Sequence, residues 1–296
     1  IGDILLEETI YGDFSILLAD DVPLDEFNMH LTLTADYINN FGELAEYIKE
    51  VPFSIDVSLN QSGFPLYEAS EKTSPLNIDF DNDGDMEIVY ADANGNVRVF
   101  HTDGSELIND TFPFNVGNQI WGAVAGADMD GDGLNDIAIG SLSGHFYIFD
   151  INGIKVDFNS GEYLTGTPAI GNLDDDSDLE VVFSGYSPGN KLYALNPVGS
   201  AVDGFPLAQG EKLKAGVALA DFNGNGKDDI IFGTDGSRVH VVYDDGTEAP
   251  GFPFSTGNKI QAAPSVLDID GEKVIFAGCI DNTLYAINAD GSLRFS

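Results

Sequence analysis

The sequence predicts an all-β fold in which a four-stranded unit recurs about five times. Three observations carry that expectation. Aspartate-rich loops begin at residues 79, 128, 172 and 221, with a degenerate fifth copy at Asp268, giving spacings of 49, 44, 49 and 47. Turn dipeptides keep step with them: Asp103-Gly104, Asn152-Gly153, Val198-Gly199, Asp245-Gly246 and Asp290-Gly291, spaced by 49, 46, 47 and 45. A β-branched run follows each full loop: Ile88-Val89-Tyr90, Ile137-Ala138-Ile139, Val181-Val182-Phe183 and Ile230-Ile231-Phe232. Such runs fit half-buried strands.

In chain order, residues 1–56 stand outside the repeat. Runs such as Phe14-Ser15-Ile16-Leu17-Leu18 and Met29-His30-Leu31-Thr32-Leu33-Thr34 predict strands of a small β-rich segment, or part of an Ig-like domain. A short helix is the expectation over Phe41–Val51. The repeat region is 57–296. Each unit opens with a short apolar strand, as in Ser74-Pro75-Leu76-Asn77-Ile78, and then comes the acidic loop and the β-branched strand. A third, alternating strand follows (Val97-Arg98-Val99-Phe100, Leu192-Tyr193-Ala194-Leu195). The Gly turn then leads to a fourth, often carrying Phe-Pro, as at Phe112-Pro113, Phe205-Pro206 and Phe252-Pro253. Proline is tolerated there when the strand is an edge. Four short strands per unit, joined by tight turns, match one β-propeller blade. The fifth unit is expected to end after its third strand, and the Val57–Leu66 segment, with its own Phe64-Pro65, is a spare fourth strand. It would close a five-bladed ring within one chain or pair with a neighbouring molecule, since either removes an exposed edge.

The bulk properties narrow the partners. The 296 residues carry a net charge of −38 with 43% apolar residues. That charge repels nucleic acid and anionic membrane surfaces, while the apolar fraction suffices for a core. No apolar stretch approaches the ~20 residues of a membrane span, so no membrane insertion is expected. A solvated acidic surface and cation binding both account for the acidity. The single cysteine, Cys279, excludes an intrachain disulfide and reads as a buried strand thiol. The chain starts at Ile1 and reads as a processed or partial one.

The loops carry the chemistry. They place oxygen-bearing side chains at loop positions 1, 3, 5 and 9: Asp79, Asp81, Asp83 and Glu87; Asp128, Asp130, Asp132 and Asp136; Asn172, Asp174, Asp176 and Glu180; Asp221, Asn223, Asn225 and Asp229. Position 7 (Asp85, Leu134, Asp178, Lys227) offers its backbone carbonyl. This spacing suits a hard cation with six to eight oxygen ligands, calcium above all. Up to four structural Ca²⁺ ions are expected. An EF-hand would need a Glu at position 12, where Tyr90, Ile139, Phe183 and Phe232 stand instead. Carboxylate count ranks the first two loops above the third, and the third above the fourth. The fifth loop has lost three residues and carries Lys273 at its end, so no calcium is expected there.

The small residue and Pro, the apolar pair, Asp-x-Asp-x-Asp-Gly-x-x-Glu/Asp and the Ile/Val pair resemble the FG-GAP/VCBS repeat of integrin α-subunit propellers and many secreted bacterial proteins. The resemblance implies calcium between the first and second strands of a blade, and an extracellular or cell-surface location. It implies no single activity.

No catalytic constellation accompanies the loops. His30, His101, His145 and His240 fall in separate segments and read as ordinary strand residues. No Gly-x-Ser-x-Gly elbow, P-loop or dinucleotide fingerprint occurs. Trp121, the sole tryptophan, reads as inter-blade packing or as a stacking platform for a sugar or peptide. The expectation is a non-enzymatic adhesion, scaffold or structural module with a protein or glycan ligand. The alternatives are a polymer subunit joined through strand 57–66, and a polysaccharide-binding or polysaccharide-degrading protein.

Overall fold

A computed structural model of the chain describes residues 26–38, 41–56, 64 and 73–296. The chain divides into two compact units, Ile1–Pro65 and Leu66–Ser296. In the first, β1 (Glu26–Ile38) and β2 (Leu44–Asp56) form a long antiparallel hairpin, with Ile38 opposite Leu44 and Glu26 opposite Asp56. The helix expected over Phe41–Val51 is therefore replaced by a turn and a strand. Gly42 takes φ +78° at the turn, and cross-strand pairing overrides the helical propensity of Leu44-Ala45-Glu46. The runs before residue 26 lie outside the described residues.

The second unit is five four-stranded antiparallel sheets. The first holds β3 (Leu76–Ile78), β4 (Glu87–Ala91), β5 (Asn96–Phe100) and β6 (Phe114–Asn115). The second holds β7 (Ala125–Ala127), β8 (Asp136–Gly140), β9 (His145–Asp150) and β10 (Gly153–Asn159). The third holds β11 (Ala169–Gly171), β12 (Glu180–Ser184), β13 (Lys191–Leu195) and β14 (Leu207–Ala208). The fourth holds β15 (Val217–Ala220), β16 (Asp229–Gly233), β17 (Arg238–Val242) and β18 (Phe254–Ser255). The fifth holds β19 (Ser265–Ile269), β20 (Glu272–Gly278), β21 (Leu284–Asn288) and β22 (Leu293–Phe295). Strand order follows the sequence in every sheet, and the first strands of successive sheets contact one another in chain order. This is the propeller plan.

The fourth strand of the fifth sheet corrects an expectation. The Asp290-Gly291 turn returns the chain onto β21, so that Phe295 pairs with Ala286 and Leu293 with Ile287. The C-terminal residues thus supply this strand themselves. Apart from Phe64, the 57–66 segment lies outside the described residues.

The core sits between sheets. Val89, Val97, Val99, Phe112, Ile137, Ile139 and Phe149 interlock between the first two sheets. Met129, Phe146, Ile148, Phe183 and Tyr193 do so between the second and third, with Phe146 stacked on Phe183 at 3.8 Å. The central strands β8, β12 and β16 are buried along their whole length, because each is covered by a sheet on both faces. Cys279 is buried, and its Sγ donates to the Asn258 carbonyl at 3.1 Å. Among the described residues no helix is long and apolar enough to cross a membrane.

Candidate metal centres

Each full acidic loop joins the first and second strands of its sheet, and the four share one internal wiring. The position 9 carboxylates of Glu87, Asp136, Glu180 and Asp229 are all buried. Each accepts the backbone N–H of loop position 2: Phe80 at 2.8 Å, Met129 at 3.1 Å, Leu173 at 2.6 Å and Phe222 at 2.8 Å. The position 5 side chain accepts the position 7 N–H in every loop, from Asp85, Leu134, Asp178 and Lys227 at 2.8–2.9 Å. Loops one, two and four also tie the position 6 glycine N–H to the position 1 carboxylate, as Gly84 to Asp79, Gly133 to Asp128 and Gly226 to Asp221. Those glycines have φ of +96°, +88° and +87°, a conformation that L side chains rarely adopt. Loop three has Ser177 at this position, and its φ is not positive. There the Asn172 amide instead donates to the Asp176 carbonyl at 3.4 Å.

The loops bring carboxylates together. Oxygens of Asp79, Asp81 and Asp83 lie within 4.8 Å of one another, as do those of Asp128, Asp130 and Asp132, and those of Asp174, Asp176 and Glu180. Loop four holds only Asp221 and Asp229 as charged members of its set. The degenerate fifth loop is a two-residue hairpin turn, Asp270-Gly271, with Ile269 paired to Glu272 and both turn residues at positive φ.

A family profile described as an FG-GAP-like repeat matches residues 79–139, which span the first two loops. No curated protein matches the chain in sequence. Among solved structures, the chain is similar to BBS1N in its complex with ARL6DN, at 12% identity and a TM-score of 0.56, covering 79% of this chain and 67% of that one. It is also similar to the V. cholerae biofilm matrix protein Bap1, at 19% identity and a TM-score of 0.58, covering 79% of this chain and 41% of Bap1. Residues 79–139 match an FG-GAP-like repeat, and the chain has a β-propeller fold. It spans less than half the length of Bap1.

The acidic loops fit a divalent cation on their own chemistry. Buried side-chain oxygens without a hydrogen-bond partner point to it: Asp79 Oδ1 and Asp81 Oδ1 in loop one, Asp128 Oδ1 in loop two, Asn172 Oδ1 and Glu180 Oε1 in loop three. Buried acceptors in folded proteins are almost always paired, so a cluster of orphaned ones marks a place for a cation. Burial pushes the Glu180 carboxyl up to about 7, with Asp174 and Asp176 adding to the repulsion. Burial also raises Asp229 to about 6, against the backbone N–H groups it accepts. Calcium bound at such a loop would supply positive charge against crowded carboxylates.

Two side chains outside the sequence-predicted sets join these loops. Lys155, on β10, places its ammonium 2.6 Å from Asp130 Oδ2 and 2.9 Å from Asp136 Oδ1. Burial works against its charge, but the two carboxylates hold it well above its usual range. Loop two therefore carries a cation of its own, which carboxylate counting did not register. His101 follows β5 and sits with Asp81 and Glu87, its Nδ1 3.4 Å from Glu87 Oε1. It thus departs from an ordinary strand histidine. His145 pairs with Asp157, and His240 stacks on Phe232 and meets Glu248 at 2.9 Å, as strand side chains do.

In loop four, Asp229 Oδ1 is approached by the Asp244 N–H at 3.2 Å and the Asn223 amide at 3.4 Å. Lys227 turns outward to Asp175 and Asp244. With its buried carboxylate already accepting these bonds, loop four fits a cation least well of the four.

Proposed function

We propose that the chain is a calcium-stabilised, non-catalytic propeller module of an extracellular adhesion or scaffold protein. The observation that carries this reading is the set of buried, unpartnered oxygens in loops one to three, where the second carboxylate oxygen of Asp79, Asp128 and Glu180 accepts a backbone N–H of its own loop. Oxygens fixed in advance by the backbone suit a permanent structural ion. The position 9 carboxylates are engaged in stapling the loops shut, which favours a load-bearing role over acid–base chemistry. Bap1 is named as a biofilm matrix protein, and the shared fold makes a matrix or surface role a fitting one for this chain.

Thermal unfolding in calcium and in excess chelator tests the reading. Calcium should raise the midpoint by about ten degrees or more, the shift produced by a ligand that binds only the folded state well above its Kd. Equal midpoints would show the loops to be acidic turns and remove the mechanism. Surface retention should then require calcium: immobilised cells or matrix should capture the loaded protein and release it with chelator. The polymer reading depends on residues 57–66, and size measurement of the loaded protein at rising concentration tests it, since strand exchange would give a ladder of assemblies.

A further inference from the structure

We propose that a pocket at the end of the propeller opposite the acidic loops binds an acidic sugar residue of a glycan chain. The pocket has a volume of about 320 Å³ and is lined by Trp121, Leu142, Tyr163, Thr165, Tyr186 and Lys214. Its residues come from three consecutive sheets. Trp121 precedes β7, Leu142 follows β8, Tyr163 and Thr165 precede β11, Tyr186 follows β12 and Lys214 precedes β15. These are the connections into first strands and the turns between second and third strands. Alternation of strand direction puts them all at one end, and the acidic loops at the other.

Backbone bonds shape the pocket before any ligand arrives. The Leu142 N–H donates to the Gln119 carbonyl at 2.9 Å, the Tyr186 N–H to the Tyr163 carbonyl at 2.8 Å, and the Tyr163 N–H to the Ser187 carbonyl at 3.0 Å. Thr165 Oγ1 donates to the Lys214 carbonyl at 3.2 Å, and the Trp121 indole N–H to Gln119 Oε1 at 2.9 Å. Tyr163 is 55% exposed and Trp121 37%. Aromatic faces beside a few polar groups suit the apolar C–H face of a pyranose ring.

The charge selects among sugars. In a chain with 12 Lys and Arg against 50 Asp and Glu, one lysine lines this pocket and a second reaches one of its tyrosines. Lys214 lines it, and the Lys212 ammonium lies 5.2 Å from the Tyr186 ring centroid. The nearby Glu162 is turned inward and buried, accepting the Tyr193 hydroxyl at 2.9 Å. A sugar carboxylate would therefore meet ammonium groups, within the ~8 Å over which charges act at physiological salt, while the wider acidic surface disfavours long polyanions. The ligand class is a short stretch of uronic-acid sugar.

The site rests on the binding-module reading in being taken as non-catalytic. The only tryptophan in the chain lines the pocket, so intrinsic fluorescence reports on it directly. Trigalacturonate and a neutral galactose trisaccharide should be titrated into the calcium-loaded protein. The acidic trimer should give a saturable emission change that the neutral one does not match. Tyr163→Ala should weaken it at least tenfold, and Lys214→Gln should reduce the preference for the acid, both with unchanged unfolding midpoints. An equal response to the two trisaccharides, or no saturable response to either, overturns the proposal. Cleavage of the bound trimer, read by chromatography, would uphold the site and sink the non-catalytic reading. A calcium-independent midpoint with retained binding would sink the structural-calcium reading alone.

Discussion

Lys155 changes how the second loop should behave. Counting carboxylates places that loop level with the first, yet an ammonium already bridges Asp130 and Asp136. A cation entering the loop has to displace it. Lys155→Met should therefore tighten calcium binding at one site, on the order of tenfold. Calorimetric titration would show this, and an unchanged isotherm would mean that the lysine moves aside without cost. Glu180 at position 9 acts differently, since its Oε2 closes the loop on the Leu173 N–H while its Oε1 has no hydrogen-bond partner. Glu180→Ala should destabilise even the chelated protein by about 1–3 kcal/mol, because the Leu173 N–H loses its buried acceptor. Chemical denaturation with chelator present would measure it; a variant that matches the parent would show that water replaces the carboxylate. The carboxylates of all four loops were legible in the sequence, because the set lies within nine consecutive residues. Lys155 was not, because it reaches the loop from a later strand.

Blades pack through close backbone approaches as well as through their apolar faces. A Cβ on Gly122 would lie 2.3 Å from the Gly166 carbonyl oxygen, and one on Gly166 would lie 2.4 Å from the Ala215 carbonyl oxygen. These glycines precede the first strands β7 and β11, so each inner connection rests against the next. Gly166→Ala should cost ~2 kcal/mol or more, since both contacts are with backbone that has little room to shift. Urea denaturation would show the loss, and a parental midpoint would mean that the connections are loosely held. The strands themselves were read correctly from β-branched runs and turn dipeptides. The hairpin of β1 and β2 was misread in part, because Leu44–Val51 carries helix-favouring residues and only its pairing partner makes it a strand.

Over the whole molecule, acidic charge opposes folding whenever cations are scarce. Screening by salt should relieve that repulsion. In chelator, raising sodium chloride from low to physiological levels and beyond should lift the unfolding midpoint clearly; in saturating calcium the same change should do less. Equal salt responses in the two conditions would locate the repulsion away from the loops. The five-sheet plan was visible in advance because two markers kept one period along the chain. The source of the last sheet's fourth strand was not, since Leu293–Phe295 lacks the Phe-Pro signal that precedes β6, β14 and β18 and is recognisable only through its pairing with β21.

The sequence by itself determined the repeat, the all-β class and the oxygen-rich loops, because each depends on residues close together along the chain. Only the tertiary structure decided which of those loops already holds an ammonium, where His101 stands, and that Trp121, Tyr163, Tyr186 and Lys214 share one pocket. These groups lie in segments far apart along the chain. They meet because the sheets pack face to face in chain order, a proximity that local sequence spacing does not encode.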